Sequence, residues 1–191
     1  TGLTAGTAYH VRAFATNSAG TAYGNDISFT TITGCTTSIF VTGFDDLYDI
    51  SGNIRIPKVW VNTTGSYTGT ALPFTAGVQA EANAIFVSGT DVYVAGKVNQ
   101  RATVWKNGVA TYLTPIPTAP IFYQGEAYSV FVVGTDVYVV GAYANAATIW
   151  KNGVATTLSS GALLGSIARA VFVSGTDVYA AGYVTQTINF N

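Results

Sequence analysis

Few residues of this chain could carry out catalytic chemistry. Among 191 residues there is one histidine, His10, and one cysteine, Cys35. A single cysteine excludes an internal disulfide and a cysteine-based metal site. No Ser-His-Asp or Cys-His set is evident around His10. These counts remove most of the side chains that enzymes use as nucleophiles and general bases.

The two glutamates, Glu81 and Glu126, lie 45 residues apart, and each comes just before a predicted first strand. Paired carboxylates catalyse glycoside hydrolysis, so a carbohydrate-active enzyme is one alternative. Such an enzyme also needs one carboxyl group in a pocket that raises its pKa. Two equivalent positions of a repeat are more simply explained as solubilising residues at a strand entry. We therefore predict that the chain is not an enzyme.

Oxygen-bearing side chains are densest in one predicted hairpin. The candidate metal ligands there are Asp45, Asp46, Asp49 and Asn53. The order D-x-S-G-N at 49–53 distantly resembles a calcium loop, but it lacks the D-x-D-x-D-G pattern and the distal glutamate. The sequence predicts no cofactor, with calcium at these four residues as the alternative.

A second set of aspartates recurs along the chain, each directly after Gly-Thr: Asp91, Asp136 and Asp177. Calcium prefers six to eight converging oxygens, which single aspartates on separate repeats do not supply. We expect each carboxylate to accept hydrogen bonds from the N–H groups of its own tight turn.

The three tryptophans, Trp60, Trp105 and Trp150, are spaced 45 residues apart. Aromatic faces stack on sugar rings in lectins, so a row of equivalent glycan sites is one interpretation. The other is core packing between neighbouring repeats, which one aromatic at a fixed strand position would provide. With Tyr123, in the loop 114–125 where the repeats differ, these tryptophans are the candidate binding residues.

Repeated segments must position these residues. IFVSGTDVYVAG (85–96) recurs as VFVVGTDVYVVG (130–141) and VFVSGTDVYAAG (171–182), and WKNGVAT occurs at 105–111 and 150–156. Each repeat predicts four short strands, and its Asn-Gly dipeptide predicts a type I′ hairpin. A repeat of 41–45 residues with four strands has the size of a β-propeller blade.

The first repeat is degenerate. We interpret 38–48 and 54–62 as its second and third strands, with Trp60 in register and the first strand absent. The alternative is that IFVTG (39–43) is the first strand, because it matches IFVSG (85–89). That alternative leaves a poorer second strand.

The start of the chain differs from the repeats. Residues 2–31 contain Leu3, an Ala5-Gly6-Thr7 turn, Tyr9 and a hairpin turn at 17–21. This segment resembles the last strands of a fibronectin type III domain, with Tyr9 placed like its tyrosine corner. The resemblance implies a C-terminal remnant of such a domain at 1–31, followed by a linker at 32–37.

Residues 38–191, with units of the type VYVAGY…WKNG, resemble the propeller-like repeats of large secreted or surface proteins of bacteria. The predicted fold class is therefore all-β, with about three blades of a partial β-propeller after the fibronectin-like remnant. Because propellers carry four to eight blades, we expect the chain to belong to a longer protein whose other domains are its partners.

Composition narrows the functional classes. Charged residues make up 9% of the chain and the net charge is −1, which offers no basic surface for nucleic acid. No apolar run approaches the ~20 residues that span a bilayer, so no membrane insertion is expected. The resemblance implies an extracellular or cell-surface binding and adhesion module that recognises glycan or protein. A carbohydrate-active propeller enzyme and a passive spacer are the alternatives.

Overall fold

The computed structural model describes residues 2–4, 6–31, 38–49, 52–62, 65–115, 124–158 and 165–185. The regular structure in these ranges consists of β-strands in small antiparallel sheets, which confirms the all-β class. None of the described residues forms a helix that could cross a membrane. The chain divides into two compact units, Thr1–Ser38 and Ile39–Asn191. The predicted linker at 32–37 lies outside the described residues.

The first unit contains two small sheets. One pairs β1 (Ala8–Val11) with β4 (Ile27–Thr30), and the other pairs β2 (Phe14–Asn17) with β3 (Gly20–Tyr23). The ring of Tyr9 stacks on Phe29, with centroids 6.0 Å apart. The Tyr9 hydroxyl accepts a hydrogen bond of 2.7 Å from the backbone N–H of Thr4. This contact ties the start of the chain to β1.

The second unit contains four sheets, which we number 1 to 4 in chain order. Sheet 1 consists of β5 (Ile39–Asp49), β6 (Gly52–Asn62) and β7 (Tyr67–Ala71). Sheet 2 consists of β8 (Ala80–Ser88), β9 (Asp91–Val98), β10 (Arg101–Lys106) and β11 (Val109–Tyr112). Sheet 3 consists of β12 (Gly125–Val133), β13 (Asp136–Tyr143), β14 (Ala146–Lys151) and β15 (Val154–Thr157). Sheet 4 consists of β16 (Gly165–Ser174) and β17 (Asp177–Thr185). Within each sheet, strands that follow each other in the chain are hydrogen-bonded neighbours.

The Asn-Gly hairpins form as the sequence predicts. The φ angles are 50° and 80° at Asn107 and Gly108, and 50° and 82° at Asn152 and Gly153. Positive φ at both central residues defines the type I′ turn, whose twist matches that of the flanking strands. These turns connect the third and fourth strands of sheets 2 and 3.

Strand pairing in sheet 1 corresponds to our first interpretation of the degenerate repeat. Trp60 lies opposite Val41 on β5 and Gly69 on β7. In the same way, Trp105 on β10 has a neighbour on β9 and another on β11. The strands of sheet 1 therefore match the second, third and fourth strands of sheet 2, and 39–43 belongs to a second strand.

The sheets pack face to face in chain order, and three apolar clusters fill the spaces between them. Trp105 and Val94 of sheet 2 pack on Val59 of sheet 1. Trp150 and Val139 of sheet 3 pack on sheet 2, and sheet 4 covers the other face of sheet 3. Sheets 2 and 3 are thus buried on both faces, which explains their nearly continuous apolar strands. No sheet in the described part of the chain closes into a barrel.

A β-bulge interrupts the first strand of sheets 2, 3 and 4. The register shifts between Ala82 and Ala84, and it shifts at the equivalent places in β12 and β16. The residues left without a pairing partner are Asn83, Tyr128 and Arg169. At each bulge the first strand approaches the second so closely that a Cβ on the second-strand glycine would overlap a backbone carbonyl oxygen. The sequence repeats glycine at 96, 141 and 182 because only glycine fits there.

We expect Gly141→Ala to lower the free energy of unfolding by about 1–3 kcal/mol, the usual cost of overpacking a tight site. Its Cβ would overlap the carbonyl oxygen of Glu126, which cannot move without disturbing the sheet. Gly165→Ala is the matched control, because its Cβ would meet only the Asn145 carbonyl oxygen at 3.8 Å. Urea unfolding of both variants measures the difference. Equal stability of the two variants would contradict this account of the repeated glycine.

Candidate functional site

Charged side chains of alternating sign form a row across the first three sheets of the second unit. We call it the charged row; its members are Asp46, Arg55, Glu81, Lys97 and Glu126. The Arg55 guanidinium lies 3.1 Å from Asp46 Oδ1 and 2.6 Å from Glu81 Oε1. Lys97 Nζ lies 3.3 Å from Glu81 Oε1 and 2.9 Å from Glu126 Oε2. Hydrogen bonds to Glu81 and then to Asp46 raise the pKa of Arg55.

Strand register places these charges. Asp46 is directly opposite Arg55 in sheet 1, and Glu81 is directly opposite Lys97 in sheet 2. Glu126 has the position of Glu81 in the next repeat, but the residue opposite it is Ala142. Lys97 therefore reaches from sheet 2 to neutralise Glu126, and this ion pair joins the two sheets.

The bulge residues add polar contacts between sheets. Asn83 Nδ2 donates hydrogen bonds of 2.9 Å to Glu126 Oε1 and to the carbonyl oxygen of Ala127. The guanidinium of Arg169 lies 4.1 Å from the ring centroid of Tyr128, in cation–π geometry. Burial, followed by the charge of Glu126, raises the pKa of Tyr128 to about 12. Tyr128 thus stays neutral at physiological pH.

A cleft of about 220 Å³ opens beside the charged row where sheets 2, 3 and 4 meet. Besides Lys97 and Glu126, its polar walls contain three carboxamides, two phenols and two aliphatic hydroxyls, from Gln100, Gln124, Asn145, Tyr128, Tyr183, Ser166 and Thr185. A second cleft of about 520 Å³ adjoins it and shares Lys97, Gln100 and Gln124. Together the clefts present many hydrogen-bonding groups and little net charge.

Two turns at this cleft have an unfavourable backbone conformation. The φ angles are 48° and 60° at Asn99 and Gln100, and 52° and 63° at Ala144 and Asn145. Left-handed conformations cost roughly 1–2 kcal/mol for residues other than glycine and asparagine, so the strain lies mainly at Gln100 and Ala144, and such strain concentrates at functional sites. The turns also have a structural use, because the carbonyl oxygens of Gln100 and Asn145 accept hydrogen bonds from the next sheet.

Two of the three candidate tryptophans are buried, and one is partly exposed. Trp105 and Trp150 are both 0% exposed, so neither ring face can contact a sugar. Trp105 Nε1 donates a hydrogen bond of 2.9 Å to the carbonyl oxygen of Pro73. Trp60 is half-buried on the outer face of sheet 1. The structure thus places two of the three tryptophans in the core between sheets, as in the packing interpretation. Tyr123 lies outside the described residues.

The candidate calcium ligands are only partly described. Asp45 forms an ion pair with Lys58, and Asp46 forms one with Arg55. The side chains of Asp49 and Asn53 lie outside the described part of the chain. Among the described residues, no three histidine, cysteine or acidic side chains group as metal ligands do. Calcium at these four residues stays the alternative to the prediction of no cofactor.

Two of the three repeated aspartates, Asp91 and Asp136, bind a different partner from the one expected. Asp91 accepts hydrogen bonds of 2.8 Å from Lys106 Nζ and 2.7 Å from Asn107 Nδ2. Asp136 has the same contacts with Lys151 and Asn152, at 2.7 and 2.8 Å. The donors are thus the side chains of the Asn-Gly hairpin rather than N–H groups of the Gly-Thr turn. We call each set a hairpin clamp, since it joins the two hairpins at one end of a sheet.

The residues considered for catalysis do not assemble a nucleophile and base. His10 Nδ1 lies 2.9 Å from an oxygen of Asp26, and both side chains are exposed in the first unit. Cys35 lies outside the described residues. Glu81 and Glu126 converge on the same ammonium group of Lys97. Glu81 is buried within β8, so the interpretation of these residues as solubilising groups at a strand entry is wrong for it. Their environment is ionic, whereas a glycosidase acid sits in a pocket that favours its protonated form.

The chain matches no protein-family model and no curated protein sequence. The candidate site is therefore identified from the geometry of the structure. Arg55, Lys97 and the residues of the site outside the charged row were missed from the sequence, although one signal was available for the bulge residues. The bulge positions are asparagine, tyrosine and arginine in successive repeats, inside segments that otherwise repeat closely.

We expect acid to weaken the hairpin clamps. Hydrogen bonds from Lys106 and Asn107 lower the pKa of Asp91, and those from Lys151 and Asn152 lower that of Asp136. A carboxylate whose folded pKa lies below its unfolded value of about 3.9 stabilises the fold above about pH 4. That contribution is lost as pH falls through the folded pKa.

The double variant Asp91→Asn/Asp136→Asn should therefore unfold at a lower temperature than the parent chain near neutral pH. The difference should shrink in acid, which thermal unfolding from about pH 7 to about pH 2 will measure. Asp177→Asn is the control, because no described residue pairs with that carboxylate. A difference that stays constant across this pH range would argue against the clamps.

Proposed function

We propose that the chain is a non-catalytic binding module that recognises a carbohydrate in the cleft where sheets 2, 3 and 4 meet. The observation that carries this proposal is the composition of the cleft walls, which combine three carboxamides with two phenols. A carboxamide both donates and accepts hydrogen bonds, as a sugar hydroxyl does. Tyr183 is 51% exposed and offers an aromatic face beside these groups.

The charges at the cleft favour a neutral ligand. The cleft is lined by one cation, Lys97, and one carboxylate, Glu126, which form an ion pair, so neither sign is left in excess there. A strongly charged ligand would have to displace one of the ion pairs of Lys97, leaving a partly buried charge uncompensated. A neutral, hydroxyl-rich ligand can form hydrogen bonds with the remaining donors and acceptors of these groups without breaking the ion pairs.

The architecture supports this use. We propose that sheets 1 to 4 are successive blades of a β-propeller, and that the first strands of sheets 2 to 4 line its central channel. Face-to-face packing of four-stranded antiparallel sheets in chain order is the arrangement that propellers use. The hydrogen bond from the Thr4 N–H to the Tyr9 hydroxyl supports a fibronectin-like identity for the first unit. A secreted or cell-surface bacterial location follows from the resemblance of both parts.

One observation favours a second candidate. Glu81 and Glu126 both lie within 3.3 Å of Lys97 Nζ, so two carboxylates converge at the cleft. A carbohydrate-active enzyme would use such a pair. The ionic contacts argue against it, because they leave no carboxyl group in the apolar surroundings that a general acid needs.

A glycan array probed with the labelled chain tests the proposal. We expect saturable binding of at least one neutral glycan, with no release of shortened products. In the double variant Gln100→Gly/Asn145→Gly, binding should weaken at least about tenfold, or ~1.4 kcal/mol. Glycine removes both carboxamides while accepting the positive φ of these turns, so the variant should stay folded.

Val154→Thr serves as the control, because Val154 is 71% exposed and lies outside the cleft. Absence of binding across the array, or equal binding by the double variant, would overturn the proposal. Product release that Glu126→Gln abolishes would instead establish the enzyme.

A further inference from the structure

Two identical segments of the chain place an asparagine directly before a glycine. WKNGVAT occurs at 105–111 and at 150–156, with Asn107 before Gly108 and Asn152 before Gly153. Glycine has no Cβ, so its backbone nitrogen can approach the carboxamide of the preceding asparagine closely. Both asparagines are exposed, and water therefore reaches them. The two dipeptides are thus candidate sites of deamidation.

Deamidation at such a dipeptide proceeds through a cyclic imide. The glycine nitrogen forms a bond to the side-chain carbonyl carbon, the bond from that carbon to Nδ2 breaks, and the glycine N–H proton leaves in the ammonia that is released. Water then opens the imide at either of its two carbonyl carbons and yields aspartate or isoaspartate. One water is consumed and one ammonia is released, so the reaction requires no oxidant and no cofactor.

The fold binds both heteroatoms of the Asn107 carboxamide. Its Oδ1 accepts a hydrogen bond of 2.9 Å from the backbone N–H of Val92, and its Nδ2 donates one of 2.7 Å to Asp91 Oδ1. The backbone N–H of Asn107 also donates to the carbonyl oxygen of Val92, at 2.9 Å. The carboxamide is therefore held on the neighbouring hairpin.

The second clamp holds Asn152 in the same way. Its Oδ1 accepts a hydrogen bond of 2.8 Å from the backbone N–H of Val137, and its Nδ2 donates one of 2.8 Å to Asp136 Oδ1. Lys106 and Lys151 hold the carboxylates of the two clamps by ion pairs of 2.8 and 2.7 Å. Two identical segments thus have the same environment.

These contacts oppose deamidation. For the imide to form, the side-chain carbonyl carbon must move onto the glycine nitrogen, so both Oδ1 and Nδ2 must first leave their partners. The bond from Nδ2 is the stronger of the two, because its acceptor is an ionised carboxylate. We propose that the hairpin clamps protect Asn107 and Asn152 from deamidation, and that each asparagine is modified when its clamp opens.

Deamidation also removes the clamp that delays it. An aspartate at position 107 cannot donate a hydrogen bond to Asp91, and the two carboxylates repel each other. Isoaspartate lengthens the backbone of the type I′ turn, whose two-residue length fixes the register of the flanking strands. Either product therefore loosens the end of sheet 2 permanently.

This inference does not depend on carbohydrate recognition. The clamp residues line neither of the two clefts beside the charged row. A chain that binds no glycan can still protect its asparagines. A chain that deamidates quickly can still bind a glycan.

Peptide mapping by mass spectrometry, after incubation at mildly alkaline pH, measures deamidation at each site separately. In the chain unfolded in urea, Asn107 and Asn152 should react at equal rates, because their flanking residues are the same. In the folded parent chain both rates should be lower by about tenfold, the factor that the loss of a hydrogen bond to a charged group would restore.

Removal of one carboxylate makes the other clamp an internal control. In Asp91→Ala the rate at Asn107 should rise about three- to tenfold, as the loss of one hydrogen bond predicts. The rate at Asn152 in the same molecules should keep its parent value, which also shows that the chain is folded. Asp136→Ala should give the reverse pattern, and it provides the same test if the first variant fails to fold.

Lys106→Gln is the matched control for the lost ion pair. It removes the ammonium group but keeps the Asp91 carboxylate as the acceptor for Asn107. The rate at Asn107 should therefore stay close to that of the parent chain.

Three results would refute the proposal. One is a folded parent chain whose asparagines react as fast as those of the unfolded chain. A second is a folded Asp91→Ala variant in which the rate at Asn107 is unchanged, or in which Asn107 and Asn152 accelerate equally. The third is an acceleration in Lys106→Gln as large as in Asp91→Ala, since the ion pair rather than the carboxamide contact would then slow the reaction.

Discussion

The structure of the second unit depends on covering both faces of each four-stranded sheet. Sheets 2 and 3 carry buried side chains on both sides, so each needs a neighbouring sheet in front and behind. Trp105 and Trp150 fill two of the interfaces, and a side chain of that size contributes several kcal/mol when fully buried. The need to cover both faces of each sheet accounts for the low fraction of charged residues. It also accounts for the repeated sequence, because a sheet that is apolar on both faces cannot be stable alone.

The β-bulges connect this packing to the candidate site. A bulge interrupts the hydrogen-bonded ladder and turns one side chain out of register, and here that side chain reaches the neighbouring sheet. Asn83 binds Glu126 in this way, and Arg169 covers Tyr128. The same distortion demands glycine on the adjacent strand. A single local feature thus explains a repeated residue in the sequence and a polar surface that varies from repeat to repeat.

The sequence was sufficient for the strands and hairpins of the repeats, because alternating apolar residues and Asn-Gly turns are local signals. It also placed Glu81 and Glu126 at equivalent positions of the repeat, just before the first strands, although these strands begin earlier and include both residues. It could not reveal that Lys97 reaches the next sheet, since that contact depends on the distance between sheets. The hairpin clamp was missed for a similar reason: Asp91 meets Asn107 only once both hairpins lie at one end of the sheet. Equivalent backbone N–H groups are also satisfied by different side chains in the two repeats. The Ala102 N–H donates to the Thr114 hydroxyl, whereas the Ala147 N–H donates to the Ser166 hydroxyl.

The burial of Trp105 and Trp150 between sheets is the claim on which the rest of the account depends. It can be measured by fluorine NMR of the chain labelled with 5-fluorotryptophan, with resonances assigned by single Trp→Phe variants. Solvent-exposed fluorine shifts when water is replaced by deuterium oxide, and buried fluorine does not. The account predicts no solvent shift for Trp105 or Trp150 in the folded chain. A shift at either residue equal to that of the unfolded chain would contradict it.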